Sequence, residues 1–514
     1  MMRITSLTIN GYRSLCDIEK MPLSSLTIFV GRNNSGKSNL LSALNLLLAG
    51  TAKELSENDF YECGGKRVPE ICIEATLVGI TEYLPLCAEQ HRGKIAVCIQ
   101  DDSIKIRRKA TLQPLEMGKT EIWQPEKNEY GTPTGIDTAF RQFLPEMIFI
   151  EVFKDPSDEV QGKGSATLAK LLKEIVEQVS DQITGDVDEA LSSANRKFNV
   201  IQQEDKLIDE RPEELRRIEG RIKEHVQKIF NNSDVRLAFS LPDVNALMTT
   251  ASIRLRDRPD GSWTPLSHKG QGFQRTLYVA LLQALADELR ATSEAPVSRP
   301  FILLFEEPEL FLHPALQREI GDTIEAISQS NQVVVSTHSP LLITPQRFGD
   351  VIIVQQIQNP ETRQSKTRCM IPDIENLPDP EEKQLAMLLR YANSSEFLFA
   401  DCVMIVEGPS DKALFGASWD MHREAIVSKI GSISLAIIEA ENKNVVPVWL
   451  KYLRSLHIRS VGVVDLDFLW SGAGKVLGAD PEVSIFSESF WKIAEEKGVS
   501  QKNEKGIWQI EDKK

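Results

Sequence analysis

Residues 31–38 read Gly31-Arg-Asn-Asn-Ser-Gly36-Lys37-Ser38, a spacing that can cradle phosphate. Glycines let backbone N–H groups close around phosphate oxygens, and a helix that starts there adds partial positive charge. Asn33, Asn34, Ser35 and Gly36 would form the cradle for ATP, and Lys37 would reach the β- and γ-phosphates. Ser38 would ligate Mg²⁺. A second cluster, Glu306-Glu307-Pro308-Glu309, follows four apolar residues, Ile302–Phe305. A buried strand that delivers carboxylates at its end suits Glu306 to the Mg²⁺ shell and Glu307 to polarising an attacking water. His338 follows the apolar run Val333–Val335 within Ser336-Thr-His-Ser-Pro340, where it would sense a γ-phosphate. The segment Ser267-His-Lys269-Gly270-Gln-Gly272-Phe-Gln274-Arg275 opens a helix pattern. Its Lys269, Gly270, Gly272 and Gln274 are candidates to bind a γ-phosphate presented by another subunit.

A further carboxylate set lies past residue 400. The apolar run Val403–Val406 ends in Glu407-Gly-Pro-Ser-Asp411, and Val461–Val464 ends in Asp465-Leu-Asp467. Parallel strands would bring both ends to one sheet edge, the usual place for an α/β active site. Side-chain alternation puts Asp465 and Asp467 on one side. Such a crowd of like charges is unfavourable unless a cation binds or one carboxyl protonates. Oxygen-only ligands (Glu407, Asp411, Asp465 and Asp467) select Mg²⁺ or Mn²⁺, and a metal–carboxylate site suits phosphodiester cleavage.

The elements that must position these groups are legible as patterns. Leu26–Val30 reads as a strand and Asn39–Leu48 as a helix, the flanks a phosphate loop needs. From about 165 to 230 helical spacing dominates. Leu168, Leu171, Leu172, Ile175, Val176, Val179 and Ile183 make an apolar stripe that must dock on its own domain or on a second chain. A loop-rich stretch near 356–383, rich in Pro, Gln and Glu, precedes a second α/β alternation.

Composition narrows the classes. The 514 residues carry a formal net charge of −15, which excludes a globally basic nucleic-acid coat. Any DNA contact must be local, with Lys105, Arg107, Arg108 and Lys109, or Arg254, Arg256 and Arg258, as candidate patches; the alternative is a solvated strand face. The seven cysteines are scattered without a Cys-x-x-Cys pair, which reads as reduced cytoplasmic thiols. No long apolar stretch predicts secretion or a membrane span.

Together these residues resemble the ATP-binding-cassette-like ATPases, specifically the overcoming-lysogenization-defect family of ATPase-nucleases. The match runs through Asn10-Gly-Tyr-Arg13-Ser14, residues 31–38, Gly270–Arg275, Glu306–Pro314 and Ser336–Pro340; Phe311 stands where the family often has His. Residues 400–470 resemble the Toprim nuclease domain. There Glu407 matches the metal-binding or general-base glutamate, Asp411 the next acidic position, and Asp465 and Asp467 the metal-binding pair. Lys443 resembles a basic loop position, and Lys475 and Lys492 are candidates for a downstream basic residue. The resemblance implies an α/β fold class: an ABC-type P-loop ATPase domain with a helical insert, then a Toprim-like Rossmannoid domain. The expected boundaries are 1–160 and 233–356 for the ATPase halves, 161–232 for a dimerising insert, 357–398 for a linker and 399–514 for the nuclease. It further implies ATP and Mg²⁺ or Mn²⁺, a DNA substrate, a homodimer or higher homo-oligomer, and antiphage defence with a partner protein or nucleic acid. The rival reading is an ATP-dependent sensor or scaffold subunit whose Toprim domain is inactive or needs a partner.

Overall fold

The computed structural model describes residues 1–48, 55–131, 140, 143–151, 193, 196–197, 199–203, 206–227, 254–255, 264–265, 268, 270, 273, 277, 280, 300–358, 365–371, 395–430, 433–440, 442–443, 445–465, 492, 495–496, 500–502 and 508–510. The chain divides into two compact units. One comprises Met1–Glu151, Ser293–Leu310 and Pro314–Lys514; the other comprises Val152–Thr292 and Phe311–His313.

The first unit opens with β1 (Arg3–Tyr12) and β2 (Leu15–Pro22), then β3 (Leu26–Val30) and α1 (Lys37–Leu48). Next come β4 (Glu70–Val78), β5 (Ser103–Thr111), β6 (Glu121–Gln124) and β7 (Glu146–Ile150). The chain returns with β8 (Phe301–Glu306), α2 (Pro314–Ser328), β9 (Gln332–Thr337), β10 (Val351–Gln358) and β11 (Ser365–Met370).

Two sheets result. An antiparallel sheet runs β6-β5-β4-β1-β2, and β4 alternates buried and half-buried residues as one covered face requires. The other runs β7-β8-β9-β3-β10-β11, parallel throughout except for the last pairing. Its central strands are buried on both faces, so β3 and β8 read as continuous apolar runs instead of alternating ones. Helix α1 packs against both sheets, and Leu40, Leu41, Leu44 and Leu47 are fully buried in the shared core. Gln332 ties the sheets together: its side chain accepts from Ile4 N at 2.8 Å and donates to Ile4 O at 2.7 Å and Ser24 O at 2.9 Å.

The composition of 357–398 predicts a linker, but β11 lies inside that span and pairs with β10. Its Thr367 is buried and Arg368 exposed, a short alternation hidden by the polar flanks. The C-terminal module follows with β12 (Cys402–Val406), α3 (Pro409–Ile430), β13 (Leu435–Glu439), α4 (Val446–Ser455) and β14 (Arg459–Val463). These strands form a parallel sheet in the order β13-β12-β14. Phe397, Trp449 and Tyr452 pack edge to face behind it, with ring centroids 5.5–6.4 Å apart.

In the second unit the described residues include a helix, Glu213–Gln227. Before it, Arg211 forks between Asp209 (2.9 Å) and Glu219 (2.7 Å). The apolar stripe from Leu168 to Ile183 lies outside the described residues.

Candidate functional site

The phosphate loop is built by close backbone packing. Gly31 (φ +151°) lies so near β10 that a Cβ there would sit 2.1 Å from Val354 O. Gly36 (φ +108°) faces β11, where a Cβ would sit 2.2 Å from Thr367 Oγ1. Only glycine fits both places. Thr367 Oγ1 donates to Ser35 O at 3.0 Å and shares a hydrogen bond with Ser14 Oγ at 2.7 Å. Asn39 Nδ2, in α1, donates to the same Ser14 oxygen at 2.8 Å. The Asn10–Ser14 turn thus braces the loop from one side and β11 from the other. Arg13 Nε donates to Asp59 Oδ1 at 2.8 Å, and Asp59 closes a capping box with Ser56. Neither Asp59 nor Thr367 was a sequence candidate, although Ser-x-x-Asp at 56–59 carries the capping signal.

Lys37 is 5 % exposed, and its Nζ donates to Gly31 O and Arg32 O, each at 2.9 Å. Burial pulls its pKa down to about 8, opposed by the charges of Glu307, Glu309 and Glu306. The ammonium therefore persists at neutral pH, beside the loop that would hold phosphate. Strands β8, β9 and β3 end level with one another: Glu306 pairs with Ser336, and Thr337 with Val30. That register brings Glu306, Glu307 and His338 beside the phosphate loop. Glu306 is nearly buried, while Glu307 turns off the strand end at φ +44°, its N–H on Ser336 O at 2.8 Å. His338 Nε2 lies 3.5 Å from Glu307 Oε1. This is not an ion pair near neutral pH, because burial and then the Lys37 charge push the imidazole down to about 4. A neutral ring next to Glu307 can carry one hydrogen bond without neutralising the carboxylate. Ser38 and Glu306 offer the oxygen-only donors that Mg²⁺ takes. Gly270 is exposed and belongs to the second unit. Lys269, Gly272 and Gln274 lie outside the described residues.

The second carboxylate set sits on the C-terminal module. Val406 of β12 pairs with Val463 of β14 and with Glu439 of β13, so their C-terminal ends share one edge. Glu407 follows β12, and its Oε2 accepts from Asp465 N at 3.4 Å. Asp411, at the start of α3, turns back to accept from Gly408 N at 3.2 Å, a cap on its own turn. Glu439, at the end of β13, shares the edge. Asp467 lies outside the described residues, as does Lys475, while Lys443 is half-buried and Lys492 exposed. Among the described residues no three His, Cys, Asp or Glu side chains gather closely enough to hold a metal ion. Glu407 and Asp465 nonetheless supply hard oxygen donors of the kind a divalent cation takes.

Residues 2–128 and 152–343 match the AAA ATPase domain family. Residues 398–467 match the overcoming lysogenization defect protein-like TOPRIM domain. The chain belongs to the overcoming-lysogenization-defect family of ATPase-nucleases. It is an ATPase and an endonuclease on one chain, as the motif order predicts. It is 27% identical over 482 residues to the Old nuclease of Escherichia phage P2, covering 91% of this chain and 78% of that one. It is 23% identical over 425 residues to the OLD nuclease of Thermus scotoductus, covering 79% and 72%. Among solved structures, the Smc head bound to the C-winged helix domain of ScpA aligns at a TM-score of 0.42 and 17% identity. That alignment covers 72% of this chain and 98% of that one.

The first basic patch fits the strand-face alternative. Arg107 bonds Glu121 at 2.8 Å, Lys109 bonds Glu70 at 2.7 Å, and Arg108 Nη1 is buried against Leu46 O at 2.8 Å. Arg107 and Lys109 thus share a strand face on which both are paired across the sheet, and Arg108 points to the opposite, buried side. Arg256 and Arg258 of the other patch lie outside the described residues. The seven cysteines are free, and no helix among the described residues is long and apolar enough to cross a membrane.

Proposed function

We propose that this OLD-family protein is an ATP-regulated, Mg²⁺- or Mn²⁺-dependent DNA endonuclease that acts in the cytoplasm in defence against phage or other invading DNA. In this reading Asn33–Gly36 and α1 hold the triphosphate, and Lys37 exchanges its carbonyl partners for β- and γ-phosphate oxygens. Ser38 and Glu306 would hold Mg²⁺, which neutralises phosphate charge when bound. Glu307 takes the proton of the water that attacks the γ-phosphorus, and neutral His338 orients the reacting groups. The segment around Gly270, with Lys269, Gly272 and Gln274, completes the site in a second subunit. The protein is therefore at least a homodimer, with the stripe from Leu168 to Ile183 as its contact.

On the nuclease module, Glu407, Asp465, Asp467 and Asp411 would hold the divalent cation, whose chemistry is to activate water and stabilise the leaving oxygen. Glu407 accepts the Asp465 N–H, and this is the observation that carries the assignment: two strand ends 58 residues apart meet at the edge where α/β folds do chemistry. The coupling of the two activities is supported by the short segment between them. Phe399 lies beside His338, with ring centroids 6.4 Å apart, and Asp401 is ion-paired with Arg32 of the phosphate loop. Asp401 also accepts from Ser434 N at 2.8 Å, and β12 begins at the next residue and ends beside Glu407. A shift at either nucleotide-facing loop therefore has a short route to the nuclease edge.

The test is plasmid nicking by purified protein in Mg²⁺, Mn²⁺ or chelator, with ATP, ADP or no nucleotide. Metal-dependent cutting whose rate changes with nucleotide is expected. No cutting under any condition, with or without a co-purifying partner, leaves the sensor or scaffold reading in its place.

A further inference from the structure

The acidic run after β8 has a third member, Glu309, to which the hydrolysis scheme gives no task. It is 7 % exposed, unusual for a carboxylate that forms no ion pair among the described residues. Its Oε1 accepts two main-chain bonds from one loop: His338 N at 2.6 Å and Ser339 N at 3.1 Å. Those N–H groups need a partner, because the ladder between β9 and β3 ends at Thr337. The loop is pinned twice more. Thr337 Oγ1 also accepts from Ser339 N at 2.9 Å, and Ser339 Oγ donates to Gln317 Oε1 at 2.7 Å. Gln317 Nε2 in turn reaches Glu309 O at 3.5 Å, so α2, the acidic turn and the His338 loop close one circuit.

We propose that Glu309 is a positioning residue for ATP hydrolysis, which holds the His338 main chain so that the imidazole faces Glu307. The opposite half of that pair is fixed independently: Glu307 takes a left-handed backbone conformation, secured by its N–H on Ser336 O. With both backbones fixed, the His338 and Glu307 side chains meet at 3.5 Å. Glu309 touches no reacting atom in this scheme and acts only through His338. Burial pushes its carboxyl pKa up and the N–H bonds pull it back, so the site favours an acceptor at Oε1 over a free charge. Its Oε2 is buried and has no hydrogen-bond partner among the described residues.

The experiment measures kcat and KM for ATP hydrolysis, with nucleotide affinity measured separately. The variants are Glu309→Gln, Glu309→Ala, His338→Ala and the Glu309→Ala/His338→Ala double. Glu309→Ala should lower kcat about ten-fold or more and leave ATP affinity within about two-fold. Glu309→Gln should keep most of the rate, because the amide oxygen accepts the same two N–H groups. In the double variant the alanine at 309 should add almost nothing to the loss from His338→Ala. The proposal is overturned if Glu309→Gln falls as far as Glu309→Ala, which would make the charge near Lys37 the active feature. It is equally overturned if the two losses multiply, or if Glu309→Ala loses ATP affinity together with thermal stability, which would make Glu309 a general prop. Wild type that hydrolyses no ATP would instead remove the ATPase assignment on which this role rests.

Discussion

The nucleotide site and the nuclease edge use the same device, carboxylates delivered at the C-terminal ends of parallel strands, but they are finished to different depths. At the nucleotide site Lys37 and Glu306 are buried, the loop is braced by Ser14, Asn39 and Thr367, and Glu307 and His338 are held by main-chain bonds. At the nuclease edge Asp465 is exposed, Glu407 is half-buried, and among the described residues a 3.4 Å bond from Asp465 N is what holds the Glu407 carboxylate. The difference follows from what each must bind. A small triphosphate can be enclosed, and its hydrolysis gains from fixed dipoles in a dry site. A polymer cannot be enclosed, and gathered carboxylates repel one another until a cation joins them. Preorganisation is therefore expected in the ATPase, and dependence on metal in the nuclease.

Glu307→Gln should produce the largest separation between the two sites. Loss of the group that takes the water proton should cost about 10²–10⁴-fold in ATP turnover, with ATP still bound and the nuclease carboxylates untouched. Steady-state hydrolysis beside equilibrium nucleotide binding checks this, and a variant with wild-type turnover would break the comparison. Lys37→Ala should act on affinity instead. It removes charge-assisted bonds worth about 1.5–3 kcal/mol, roughly a ten- to hundred-fold weaker Kd for ATP.

The same lysine sets a pH dependence. Its pKa is lowered to about 8, so the ammonium is present below that value and is lost as pH rises through it. ATP affinity should be flat from pH 6 to 7 and fall above pH 8, by up to about ten-fold per unit. Titrations at pH 7, 8 and 9 measure this, and equal affinity across them would show that the buried charge does not hold phosphate. The smallest effect should come from Asp401→Asn. It weakens the Arg32 pair while sparing both sets of reacting groups, so ATP turnover and metal-only cleavage should stay within about two-fold. The response of cleavage to nucleotide should shrink, and an unchanged response would show that the coupling runs elsewhere.

What was legible in the sequence also differs between the sites. The phosphate loop and its strand and helix were readable because β3, β8 and β9 have apolar centres that lead directly into the phosphate loop, the acidic run and His338. The braces were not: Thr367 and Ser14 are 353 residues apart, and a two-hydroxyl contact leaves no local pattern. β11 was hidden for a related reason, since Lys366 and Arg368 on its outer face make it look like loop. Glu309 was legible only as part of an acidic run, because its role depends on which N–H groups the end of β9 leaves unpaired. At the nuclease edge, strand register made the meeting of Glu407 and Asp465 predictable, whereas the bond from Gly408 N to one Asp411 oxygen depends on how α3 begins.

The central claim is that two separable chemistries share this chain, and parallel assays of Asp467→Ala test it most directly. Plasmid cleavage in Mg²⁺ or Mn²⁺ and ATP turnover should be measured on the same preparation as wild type. The account predicts that Asp467→Ala no longer cuts and still hydrolyses ATP at the wild-type rate; cutting as fast as wild type would contradict it.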